Sequence, residues 1–147
     1  MPRQLERKAF ISFLEVGVLQ HEMAGEQLVS RHILLVEDED LVREISTRML
    51  EHLGYRVTSA VDGPDALRRF GENPAQYDLL MLDLNLPGMS GRQLLDELRK
   101  MRPGAPAIFC SGDPDPNPPA GDPPYLYKPY QLGELKSCIE SQLSPSR

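Results

Sequence analysis

Cysteine, surplus positive charge and long apolar runs are all scarce in this chain of 147 residues, and each shortage disfavours a class of protein. The two cysteines, Cys110 and Cys138, lie far apart, form no C-x-x-C pair and have no histidine at ligand spacing. A disulfide framework and a zinc site are therefore disfavoured, two ordinary buried thiols are expected, and a reducing cytoplasm is the simpler setting. Acidic residues outnumber basic ones, 22 to 16, for a net charge of −6, which argues against non-specific binding to nucleic acid or anionic membrane. Residues 9–19 are mostly apolar, but Glu15 interrupts them and spanning a bilayer takes about 20 residues. Arg3, Arg7 and Lys8 precede that run as in a secretory signal, yet no small-x-small cleavage site follows in Gln20-His21-Glu22-Met23. Two readings of this N-terminal extension, residues 1–30, stand side by side. Phe10, Phe13, Leu14, Gly17 and Val18 fall at helical spacing and suit an amphipathic pairing helix. Alternatively, translation starts at Met23, with Met23-Ala24-Gly25-Glu26 leading into the first strand.

No internal repeat and no second domain are visible, so residues 31–147 are read as one domain. Its apolar segments are short. Leu79-Leu80-Met81-Leu82 ends in Asp83 and breaks at Pro87-Gly88; four apolar residues in a row suit a parallel strand buried on both faces. Ile33-Leu34-Leu35-Val36 is a second such run and ends in Glu37-Asp38-Glu39-Asp40. Ala107-Ile108-Phe109-Cys110 ends at Ser111-Gly112, and Tyr125-Leu126-Tyr127 ends at Lys128-Pro129. Residues 55–60 alternate weakly and complete five strands.

Helices are expected between them. Residues 41–53 carry Val42, Ile45, Met49 and Leu53 on one face, with Asp40 as N-cap and Gly54 as stop. Asp62 or Gly63 caps a short helix with Pro64 in its first turn and Ala66, Leu67 and Phe70 as its stripe. Ser90 caps a third, with Gln93 three residues on as in a capping box and Leu94, Leu95, Leu98 and Met101 inward. A last helix, about 131–143, turns Leu132, Leu135, Cys138, Ile139 and Leu143 inward. Alternating strands and helices indicate an α/β fold with a parallel sheet and right-handed crossovers.

In such a sheet Glu37, Asp38, Asp83, Ser111 and Lys128 each follow an apolar run directly and so share the carboxyl-terminal rim, where open α/β sheets hold their ligands. Asp83 alone could be a turn cap; three acids, a hydroxyl and a lysine at four strand ends are a stronger signal. The chemistry that fits is phosphoryl transfer to a carboxylate, with Mg²⁺ held by the acids and the phosphoryl oxygens held by Lys128 and Ser111.

Val36-Glu37-Asp38-Glu39, Asp83-Leu84-Asn85-Leu86-Pro87-Gly88-Met89-Ser90-Gly91, Ser111-Gly112 and Lys128-Pro129 resemble the receiver domain of two-component response regulators, most closely receivers of hybrid histidine kinases. The resemblance covers about residues 31–143 and implies a flavodoxin-like five-stranded parallel sheet, order 2-1-3-4-5, with helices on both faces. It implies that Asp83 is the phospho-acceptor and that Glu37, Asp38, Asp83 and the backbone carbonyl of Asn85 hold Mg²⁺. Ser111 and Lys128 then sense the phosphoryl group, Lys128-Pro129 is often cis, and Tyr125 matches the switch aromatic that rotates inward when the hydroxyl engages phosphate. The alternative for Tyr125 is a strand tyrosine packed at a sheet edge.

This chain departs from the family pattern between Ser111 and Lys128. Residues 113–124 contain six prolines, each lacking an amide donor and costing a helix interior about 3 kcal/mol. An extended, partly polyproline-like loop is expected where the family carries a fourth helix, which places the usual relay from Ser111 to a partner surface in question. Asp113, two residues after Ser111, matches a position that in the family modulates how fast water reaches the phosphoryl group; an acid there either orients the water or repels it.

The leading expectation is a cytoplasmic phospho-acceptor domain that takes its phosphoryl group from a histidine kinase or a histidine phosphotransfer protein. It signals by protein contact, without direct nucleic-acid or membrane binding, and it is not a turnover enzyme beyond its own aspartyl phosphorylation and dephosphorylation. With only residues 144–147 beyond the last expected helix, no DNA-binding or enzymatic output domain is expected after residue 143. An aspartyl phosphatase of the haloacid-dehalogenase type is disfavoured because Asn85 stands where a general-acid aspartate is needed. The remaining alternative is a phosphorylation-independent scaffold with an altered output face.

Overall fold

A computed structural model describes residues 30–115 and 117–143. The elements run β1 (His32–Val36), α1 (Asp40–His52), β2 (Arg56–Ala60), α2 (Gly63–Glu72), a 3₁₀ turn (Pro74–Gln76) and β3 (Leu79–Asp83). They continue with α3 (Gly91–Met101), β4 (Ala107–Ser111), β5 (Tyr125–Tyr127) and α4 (Leu132–Leu143). The strands form one sheet in the order β2-β1-β3-β4-β5, with every pairing parallel. The order reverses at β1, which lies between β2 and β3 and opens a crevice at the carboxyl ends of β1 and β3.

The continuous apolar runs are explained by two-sided burial. Every residue of β1, β3 and β4 is buried, whereas edge strands β2 and β5 are only partly covered. Successive side chains alternate between faces. Leu34, Val36, Leu80, Leu82 and Phe109 pack with Ala66 and Phe70 of α2 and Leu94, Leu95 and Leu98 of α3. Ile33, Leu35, Leu79, Met81, Ile108 and Cys110 pack with Leu50 of α1 and Leu135 and Ile139 of α4. Each fully buried Leu, Ile or Phe contributes about 1.5–3 kcal/mol relative to exposure.

Local signals set most element ends. The Asp62 carboxylate accepts from the Asp65 amide and Pro64 lies in the first turn of α2. Ser90 and Gln93 form the reciprocal capping box of α3. Two helix faces differ from the sequence reading. In α1 Met49 and Leu53 pack against the core as expected, but the buried residues are Ser46 and Leu50 and Ile45 is 49% exposed; fully buried Leu50 centres the inward face away from Ile45, and on that face the Ser46 hydroxyl meets the Tyr130 hydroxyl at 2.5 Å. The N-cap is Glu39 rather than Asp40, and Asp40 instead pairs with Arg43. In α3 Met101 is exposed rather than inward, because it sits in the last turn beyond the sheet's cover. Both cysteines are free, Cys110 buried and Cys138 half-buried. The described residues between β4 and β5 form no helix, in line with the prolines there. Residues 1–29, on which both readings of the N-terminal extension 1–30 rest, lie outside the described residues.

One glycine fixes how α3 meets the rim. The Gly91 amide donates to the Leu84 carbonyl at 3.0 Å, and a Cβ on Gly91 would stand 2.5 Å from the Asp83 carbonyl oxygen and 2.9 Å from the Leu84 Cα. Both are backbone atoms and cannot swing aside. Gly91→Ala is therefore expected to lower stability by about 1–3 kcal/mol through overpacking, measured as a lower urea midpoint at unchanged slope.

Asp65 supplies a pH signature. Burial opposes its ionisation, but hydrogen bonds from the Val61 amide and from Arg68 and Arg69 outweigh it and hold the carboxyl below its ordinary 3.8. A depressed folded-state value stabilises above the unfolded value, and this is lost as pH falls through the folded one. The urea midpoint should be insensitive to this group near neutrality and drop below about pH 4. Asp65→Asn should flatten that drop.

Candidate functional site

The parallel ladder runs past the formal ends of the strands and aligns the rim. The Glu37 amide donates to the Ala60 carbonyl, the Leu84 amide to Cys110 and the Lys128 amide to Ser111, at 2.8–3.1 Å. Asp83 and Ser111 are the last residues of β3 and β4, not the first residues after them. Glu37 and Lys128 follow β1 and β5 directly.

Glu37, Asp38 and Asp83 converge, each offering a carboxylate oxygen within 4.8 Å of the others. Glu37 and Asp83 are buried, and Asp38 is exposed at the mouth. Lys128 Nζ donates to Glu37 Oε1 at 2.5 Å and to Asp83 Oδ2 at 3.0 Å, with its side chain 19% exposed. Burial favours the neutral acid and raises Glu37 above its ordinary value; hydrogen bonds from Lys128 and the Glu39 amide oppose that rise, while the neighbouring Asp83 adds to it. Burial by itself would lower Lys128, but its bonds to Glu37 and Asp83 prevail and push it up, so the ammonium is held charged. With all three acids ionised, one lysine leaves an excess of two negative charges, the charge of one divalent cation. Hard carboxylate oxygens in this number suit Mg²⁺, which keeps several waters and needs few protein ligands.

The second carboxylate oxygen of Asp83 accepts from the Asn85 amide at 3.0 Å, leaving the Asn85 side chain exposed. Ser111 lies on the same rim, and its hydroxyl is engaged locally: it donates to the Asp113 carbonyl at 2.9 Å and accepts from the Asp113 amide at 3.1 Å. The Lys128-Pro129 bond is cis. Tyr125 sits edge-on to Phe109 with ring centroids 5.8 Å apart, and its hydroxyl donates to Asp122 Oδ2 at 2.5 Å and accepts from Arg92. The structure thus gathers the three acids with Lys128 and sets Ser111 beside them, while Tyr125 points to partners outside the group.

Three supporting residues escaped the sequence reading. Arg43 of α1 donates from Nη1 to the Glu37 carbonyl at 3.0 Å and from Nη2 to Asp40 at 2.6 Å, and so braces the acidic loop. Arg92 and Asp122 lie 30 residues apart and bear no local sign of pairing. A basic residue soon after an acid cluster was the one available clue, and it pointed only to Arg43.

Lys128→Met leaves two facing buried carboxylates. In the presence of a chelator it should lower stability by about 3 kcal/mol, the penalty of breaking a buried ion pair. Mg²⁺ should then raise the melting temperature of the variant more than that of the wild type.

Comparison with known proteins agrees with this geometry. The family model described as the response regulator receiver domain matches residues 33–140. The sensor kinase CckA of Brucella abortus is 37% identical over 152 residues, covering 97% of this chain but 16% of that kinase. The chain spans about half the length of several other curated relatives it matches, but 97% of the response regulator receiver protein CpdR of Brucella abortus, 33% identical. Among solved structures, the receiver domain of sensor histidine kinase PA1611 from Pseudomonas aeruginosa, with a magnesium ion coordinated in its active-site cleft, is 30% identical. It aligns with a TM-score of 0.71 over 80% of this chain and 100% of that one. The response regulator TrrA of Thermotoga maritima, solved in complex with the histidine kinase ThkA, is 31% identical, with a TM-score of 0.69 over 78% and 99%. A matched domain model over most of the chain, a five-stranded sheet in the order 2-1-3-4-5 and an acid cluster at its carboxyl rim lead to one conclusion: the chain belongs to the response regulator receiver domain family.

Proposed function

We propose that Asp83 accepts a phosphoryl group from a phosphohistidine on a histidine kinase or histidine phosphotransfer protein, and that the chain signals in the cytoplasm through protein contacts. The observation that carries this reading is the convergence of Glu37, Asp38 and Asp83 within 4.8 Å, with Lys128 Nζ bonded to the buried pair. Among the described residues, no helix is long and apolar enough to cross a membrane.

In the transfer, Asp83 Oδ attacks phosphorus, the P–N bond of the phosphohistidine breaks as the P–O bond forms, and the departing imidazole nitrogen takes a proton from water. The Asn85 amide already bonds one Asp83 oxygen and fixes the plane of the carboxylate. Glu37, Asp38, Asp83 and the Asn85 carbonyl would hold Mg²⁺, which when bound offsets the negative charge of the incoming phosphoryl oxygens. Lys128 leaves its carboxylate partner on Asp83 to hold one phosphoryl oxygen, and the Ser111 hydroxyl turns from Asp113 to hold another. Asp113 governs the approach of hydrolytic water.

Helix α1 begins at the mouth of this pocket and exposes Leu41 (67%) and Ile45 (49%). Exposed apolar side chains beside the acceptor mark the face that receives the phosphohistidine-bearing partner. Leu41→Lys with Ile45→Lys should slow transfer from a phosphorylated histidine phosphotransfer protein about tenfold or more, the loss of one or two buried anchors. Labelling by the small donor acetyl phosphate should stay unchanged.

Acetyl phosphate also tests the acceptor itself. Intact mass should rise by one phosphoryl group in the presence of Mg²⁺, and not with a chelator or in Asp83→Ala. The absence of a helix among the described residues between β4 and β5 favours one competing reading, a scaffold indifferent to phosphorylation. That reading takes over if no increment forms on a protein shown to be folded by circular dichroism.

A further inference from the structure

Residues 113–115 and 117–124 run where the family's fourth helix would cover the sheet, and two sets of bonds fasten them. At the β4 end, the Ser111 hydroxyl holds both the amide and the carbonyl of Asp113. At the β5 end, Asp122 receives Arg92 of α3 at 2.9 Å and the Tyr125 hydroxyl at 2.5 Å. Arg92 also donates to Tyr125 and lies 5.8 Å from the centre of the Phe109 ring. Arg92, Leu95, Phe109, Gly121, Asp122 and Pro123 line a common depression there. This cluster covers the β4–β5 side of the sheet in place of a helix.

We propose that Arg92 and Asp122 are positioning residues for the phosphoryl site, latching the loop to α3 and opposing the turn of Ser111 toward a phosphoryl oxygen. The inference rests on the acceptor role assigned to Asp83. A serine hydroxyl has one hydrogen to donate, and here it is given to the Asp113 carbonyl. Gripping a phosphoryl oxygen requires its withdrawal, which frees the loop at the β4 end. The Arg92–Asp122–Tyr125 group resists that release at the other end and keeps the Tyr125 hydroxyl engaged with Asp122. By thermodynamic linkage, a change that loosens the latch strengthens phosphoryl binding, and phosphoryl binding loosens the latch. Asp122 is held below its ordinary value because bonds from Arg92 and Tyr125 outweigh the effect of burial, so the pair stays charged at neutral pH.

The probe is beryllofluoride with Mg²⁺, with binding followed by ¹⁹F resonance and the loop by ¹H–¹⁵N spectra. In the wild type, binding should shift the Asp113, Gly121 and Asp122 amides. Asp122→Asn should shift Gly121 in the free protein and bind beryllofluoride about threefold or more tightly, as linkage requires. Arg92→Lys, which keeps the charge but loses the forked donors to Asp122 and Tyr125, should fall between the wild type and Asp122→Asn. A part that merely props the fold would instead weaken binding when removed. Binding in the wild type without the loop shifts, or Asp122→Asn with equal or weaker affinity and an unchanged melting profile, overturns the latch and leaves the acceptor role standing. No bound ¹⁹F signal in a folded wild type overturns the acceptor role and the latch with it.

Discussion

The site depends on one ammonium group. Glu37 and Asp83 are carboxylates at adjacent strand ends, buried and pointed at each other, and Lys128 Nζ bonded to both makes that arrangement tolerable. Two buried like charges in a medium less polar than water repel by several kcal/mol without such a partner. The rim is thus assembled under electrostatic tension, with one positive charge among three acids. The same imbalance that would disfavour folding gives the pocket its attraction for a divalent cation and then for a phosphoryl group.

Delivering four side chains to one spot is the work of the sheet. A parallel arrangement brings every carboxyl end to one rim, and close packing on both faces of the buried strands β1, β3 and β4 holds them in register. Gly91 lets α3 start against the backbone of Asp83 and Leu84, where a side chain has no room. Arg43 and the Ser46–Tyr130 pair then tie α1 to the acidic loop and to the segment after Lys128. The support of the site is spread over elements far apart in the chain.

The loop between β4 and β5 shows how a family fold accommodates a local veto. Prolines remove the amide donors a helix needs, yet the sheet face beneath still requires cover. The charged pair Arg92–Asp122, set over Phe109 and Tyr125 of the sheet itself, supplies part of it. Exchanging a helix for a loop fastened at both ends changes what Ser111 is tied to, and hence what moves when it turns.

Legible in the sequence were the five strands, the helices between them, a cap at Asp62 or Gly63 and one at Ser90, the acids and lysine of the rim and the lack of a helix among the described residues of the proline-rich segment. All of these rest on neighbours within a few residues: apolar runs, capping spacings and missing amides. Its readings failed or fell silent where a side chain's partner is distant. Ile45 looked inward by periodicity, yet it is exposed while Leu50 is fully buried, and the buried Ser46 meets the Tyr130 hydroxyl from 84 residues away. The Arg92–Asp122–Tyr125 group and the grip of Ser111 on Asp113 likewise came from tertiary structure, because polar side chains commit to whichever groups the fold brings within about 3 Å. Which hydroxyl faces which charge is settled only when the sheet has closed.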